Sequence, residues 1–69
     1  MKDYVARMVK EHDELTGRIK KAQYFVDRNA NTMHPVDKEL LVRQIQLMWE
    51  YASVLELRLS REDVEIKEK

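Results

Sequence analysis

The sequence predicts an all-α fold: an antiparallel hairpin of two long helices that assembles into a homo-oligomeric helix bundle. Three observations carry this expectation. Apolar residues recur in alternating steps of three and four along two long segments, which is the period of one helix face. The single proline, Pro35, falls between those segments. The second segment also holds more apolar side chains than one partner helix can cover. With 69 residues the chain is one domain at most, residues 1–69. It has no cysteine and so no disulfide to support a core of that size, which makes oligomerisation the expected supplement.

The first helix is expected over about residues 2–28, where Val5, Met8, His12, Leu15, Ile19, Ala22 and Val26 form a heptad seam. At 1.5 Å per residue it would be roughly 40 Å long. Gly17 falls on the outer face, where it costs about 1 kcal/mol against alanine without ending the helix. Residues 29–34 break the seam, and Asn29 and Asn31 within them tolerate left-handed turn geometry. Pro35 suits the first position of a new helix, where a missing N–H costs nothing. His34 would then be the cap and Asp37 would lie in the positive first turn, although a start with Asp37 as the cap also fits. The second helix is expected over about residues 35–61, on the seam Leu41, Ile45, Met48, Ala52, Leu55 and Leu59. Residues 62–69 are a charged tail expected to fray. A short loop between long helices makes an antiparallel hairpin whose two seams face each other.

The stretch QIQLMWEYASVLELRL, residues 44–59, carries the surplus. On a helical wheel the apolar arc runs from Val54 through Leu47, Leu40 and Tyr51 and on to Trp49 and Val42. It covers roughly 240°, against the 100° or so that a surface helix needs. The second helix should therefore lie at the centre of an assembly. A dimer forming a four-helix bundle is the smallest solution, and a larger closed ring is the other. Trp49 and Tyr51 are either interface packing or platforms that stack on a planar ligand.

Charge narrows the function. The 13 basic and 13 acidic residues balance, which disfavours binding to DNA or RNA polymers but allows a small anionic ligand. No apolar run approaches the roughly 18 residues of a membrane span, and the N-terminus reads as an amphipathic helix rather than a signal peptide, so a cytoplasmic location is expected. Beside the first seam lies a mixed flank of Tyr4, Arg7, Glu11, Glu14, Arg18, Lys21 and Phe25. Arg7 with Glu11 and Glu14 with Arg18 have the spacing of ion pairs. The flank is either a solvated, salt-bridged edge or the lining of a subunit groove in which guanidinium groups grip phosphate. Arg58 lies inside the apolar arc and needs an anion there, supplied by Glu11 or Glu14 of another chain or by a ligand phosphate. Gln44 shares the arc and would read a base edge or bond across the interface. His12 in the seam is expected to be a core histidine satisfied by a neighbour. No metal-ligand spacing, Ser–His–Asp group or glycine-rich phosphate loop is present, so neither an enzyme nor a cofactor is expected. A mutase of the chorismate type would need a third helix.

Two resemblances add context. Arg7-Met8, Glu11, Leu15, Arg18-Ile19, Lys21 and Phe25, followed by His34-Pro35-Val36-Asp37, Leu40-Leu41, Gln44, Met48, Tyr51, Leu55 and Arg58, resemble small helical phage proteins related to a gene family of crAss-like phages. That likeness covers about residues 3–60 and departs at Ala22, where the family commonly has leucine. A shorter stretch, Arg7-Met8-Val9-Lys10-Glu11-His12-Asp13-Glu14-Leu15, is similar to the helical hairpin of phage anti-CBASS and anti-Thoeris sponges. Those are homo-oligomers that sequester nucleotide immune signals without cleaving them, and the similarity implies a nucleotide-binding role for Lys10. Together these readings predict a phage-encoded sponge in the cytoplasm of an infected bacterial cell. It would bind a cyclic oligonucleotide or a ligand of the cyclic ADP-ribose type at subunit interfaces. The candidate ligand-binding residues are Tyr4, Arg7, Lys10, Arg18, Lys21, Gln44, Trp49, Tyr51 and Arg58. The alternatives are a helical module that binds a host protein and a purely structural oligomer.

Overall fold

In the computed structural model, which describes residues 2–62, the chain forms helices α1 (Asp3–Asn29) and α2 (Pro35–Arg61), packed against each other as a hairpin. Among the described residues there is no strand. The charged tail expected over residues 62–69 lies, Glu62 apart, outside the described residues.

The seams meet as their spacing requires. Val5, Met8, Leu15 and Ile19 of α1 bury against Ile45, Ala52, Leu55 and Leu59 of α2, with Ala22, Val26, Leu41 and Met48 partly buried beside them. Ile19, Leu55 and Leu59 are the largest fully buried side chains, each worth about 1.5–3 kcal/mol of transfer free energy. Ala52 is fully buried too, and so small a side chain lets the helix backbones approach. Tyr4 lies level with Glu62 and His12 with Glu56, which gives the height of one helix against the other.

The loop is held by a single carbonyl. Asn29 O accepts from Thr32 N at 3.0 Å, Met33 N at 2.9 Å and Thr32 Oγ1 at 3.1 Å. Asn29 itself remains helical and its side chain donates to Phe25 O at 2.9 Å, so α1 runs one residue past the expected Arg28. His34 is extended, as a residue before proline must be, and its Nδ1 accepts from Val36 N at 3.1 Å. Of the two starts open to α2, the structure therefore adopts the one with His34 as the cap and Pro35 as the first helical residue.

Candidate functional site

An antiparallel hairpin returns the last turn of α2 to the first turn of α1. A shallow groove of about 150 Å³ opens there between Tyr4, Met8, Arg58, Arg61 and Glu62. Tyr4 and Met8 are one turn apart on α1, and Arg58 and Arg61 one turn apart on α2, so each pair shares a face. The Tyr4 hydroxyl donates to Glu62 Oε1. Lys2 Nζ stands 3.9 Å from Glu62 Oε2 and 5.7 Å from the centre of the Tyr4 ring. Glu62 is thus engaged from the α1 side, while Arg58 and Arg61 have no ion-pair partner among the described residues. Among the described residues Lys2, Arg58 and Arg61 thus lie at the same end of the hairpin as Glu62. Guanidinium forks beside a tyrosine suit an anionic ligand with a planar part.

The other sequence candidates are spread along the hairpin. Arg7 and Lys21 are exposed and have no ion-pair partner among the described residues. Lys10 and Arg18 both reach Glu14, at 4.0 Å and 3.6 Å. The expected pair of Glu14 with Arg18 is therefore present, but that of Arg7 with Glu11 is not. Lys10, one turn before Glu14 on the same helix, shares that carboxylate with Arg18. Gln44 and Tyr51 are exposed on α2 in line with Leu40, Leu47 and Val54. Trp49 is also exposed, but two residues from Tyr51 on a helix is a rotation of about 200°. Trp49 and Tyr51 accordingly project to opposite sides of the hairpin.

His12 corrects a second expectation. It is buried in the seam, yet its Nε2 has no hydrogen-bond partner. The nearest carboxylate oxygen, Glu56 Oε2, stands 3.4 Å away without the alignment of a hydrogen bond, and Asp13 Oδ1 is 3.9 Å from Nδ1. Both carboxylates sit on exposed side chains, where water competes for them. The sequence reading also missed Met8, Arg61 and Glu62 as groove residues. The turn spacing of Arg58 and Arg61 was visible, but which end of α1 they meet depends on the relative height of the helices.

A family model described as Sequestin matches residues 2–61. The chain belongs to the Sequestin family. The Sequestin match runs from the residue before α1 to the last residue of α2, and so includes Tyr4, Met8, Arg58 and Arg61 of the groove. No curated protein and no solved structure shows a significant match. Among the described residues no helix is long and apolar enough to cross a membrane, and no three potential metal ligands gather.

Proposed function

We propose that this Sequestin is a sponge: a homo-oligomer that binds a small nucleotide second messenger, of the cyclic oligonucleotide or cyclic ADP-ribose type, and withholds it without altering it. The observation that carries the proposal is the groove at the open end of the hairpin. There Arg58 and Arg61 stand beside Tyr4 with no carboxylate of their own among the described residues. The family name denotes sequestering, and a sequestering protein needs affinity and enclosure rather than a reacting group. The phage resemblance supplies the setting, an infected bacterial cell whose defence depends on such a signal. Arg7, Lys10, Arg18, Lys21, Gln44, Trp49 and Tyr51 contribute only where a second subunit brings them to the ligand.

Isothermal titration against cyclic dinucleotides, cyclic trinucleotides and cyclic ADP-ribose isomers tests the proposal. Saturable binding to one class, with the ligand recovered intact after denaturation, is the expected result. Silence across the panel overturns it.

A second function, docking on a host protein, is favoured by the apolar residues left exposed on α2. Leu40 is 59% and Leu47 58% exposed. Light scattering separates the two. A monomer with exposed apolar side chains suits a host-binding module, and a stable oligomer means that the face is already occupied.

A further inference from the structure

α2 carries a second heptad line beside its buried seam. Val36, Leu40, Gln44, Leu47, Tyr51, Val54 and Arg58 follow one another in steps of three and four, and all are exposed. On a helix turning about 100° per residue, this line points roughly a quarter turn away from the core seam. The charged flank of α1, from Tyr4 to Phe25, is offset from its own seam by a similar angle. In an antiparallel hairpin both offsets have the same sense. Tyr4, Arg58 and Glu62 meeting in one groove shows this directly. The two lines therefore form one broad face, apolar along α2 and charged along α1.

We infer that this face binds a second copy of the chain about a twofold axis passing at Tyr51, with α2 antiparallel to α2 and α1 antiparallel to α1. Area is the first argument. The hairpin measures 45 by 19 Å across its two longer dimensions, an outline large enough to hold the roughly 800 Å² per partner of a standard interface. Charge complementarity is the second, and it selects the register. An axis at Tyr51 sets Leu47 opposite Val54 of the second copy and Gln44 opposite its Arg58. The contacts of Tyr4 with Glu62 and His12 with Glu56 carry the same axis across to α1. There it sets Glu11 opposite Lys21 of the second copy, Glu14 opposite its Arg18 and Arg7 opposite its Phe25. Glu11 and Lys21 have no ion-pair partner among the described residues and face each other in this register, while Arg7 meets the ring of Phe25. The next symmetric register, about Leu47, would instead bring Lys21 level with Arg18. Turning the second copy to place α2 on α1 would lay the apolar line on charges.

The inference specifies the oligomer of the sponge proposal but not its ligand, so it is tested without any ligand. The chain contains no cysteine, so single cysteines can be introduced at the exposed positions Tyr51, Leu47 and Trp49. Under mild oxidation Tyr51→Cys should form disulfide-linked dimers about tenfold faster than Leu47→Cys or Trp49→Cys, because only a residue on the axis meets its own copy at bridging distance. Glu11→Lys, placed twice by symmetry, should weaken the dimer by about tenfold or more, and Glu11→Lys combined with Lys21→Glu should restore it. A monomer by light scattering, faster bridging at position 47 or 49, or no rescue by the charge swap would each overturn the inference. An absent ligand response would leave these measurements unchanged and would count against the sponge alone.

Discussion

Replacing His12 by leucine should make the protein more stable. His12 is 7% exposed in a seam otherwise built of aliphatic side chains, and its Nε2 is buried without a hydrogen bond. An unsatisfied buried polar atom costs about 1–3 kcal/mol. Leucine removes that cost and adds apolar burial to the neighbouring Met8 and Leu15 layer, while imperfect shape takes back less than about 1.5 kcal/mol. The net expectation is a gain of about 1–3 kcal/mol, and each kcal/mol raises the melting temperature of a domain this small by about 4–8 °C. Urea unfolding followed by helical circular dichroism at neutral pH measures it. The midpoint should rise while the slope stays constant, because the surface exposed on unfolding is unchanged. Glu56→Gln is the companion: its side chain is 44% exposed and makes no aligned bond to His12, so its effect should stay within about 0.5 kcal/mol. Loss of stability in His12→Leu, with a similar loss in Glu56→Gln, would refute the reasoning and show that the pair stabilises the hairpin.

Leu55→Ala should cost about 2–5 kcal/mol, since the side chain is fully buried and its removal leaves a cavity between the helices; the urea midpoint reads it, and a loss under about 1 kcal/mol would mean that the seam collapses around the gap. Gly17→Ala should stabilise the protein by about 1 kcal/mol, because a Cβ there meets nothing within 4 Å and alanine restricts the unfolded chain; a lowered melting temperature would contradict this. Arg58→Ala should abolish binding of whichever nucleotide the titration identifies while the oligomer survives, as light scattering would show; loss of the oligomer would make Arg58 a structural residue.

Much of the fold was legible because one physical signal, the period of apolar side chains, controls it. Each residue from Val5 to Val26 in the first seam, and from Leu41 to Leu59 in the second, is buried or partly buried in the structure. Pro35 and His34 marked the second helix start, since proline's missing donor and the extended residue before it admit few local geometries. The candidate site was less legible. Side chains such as Lys10, Arg18 and Glu14 are long and exposed, so spacing permits several pairings that differ by only a few tenths of a kcal/mol. Arg61 and Glu62 belong to the groove only because α2 returns at a height that brings them to Tyr4 and Met8, and no local pattern encodes that height. The orphaned Nε2 of His12 was equally hidden, because it depends on the angle at which Glu56 approaches.

The groove geometry also constrains how a ligand would be held. A single hairpin offers an open hollow of about 150 Å³, too small and too exposed to retain a cyclic nucleotide by itself. Slow release needs enclosure, which under the sponge proposal a second chain would supply. With a twofold axis at Tyr51, the Arg58 end of one copy comes against Gln44 and Phe25 of the other, and symmetry repeats this arrangement at the opposite end of the dimer. The ligand should therefore bind with a stoichiometry of one per chain, in two equivalent places far from the axis. A ligand on the axis itself would bind as one per dimer, stacked between the two copies of Tyr51. Titration of the identified nucleotide distinguishes these outcomes from its equivalence point alone. One ligand per dimer would refute the placement at Arg58 and Arg61, and Tyr51→Ala, rather than Arg58→Ala, would then be the substitution that abolishes binding.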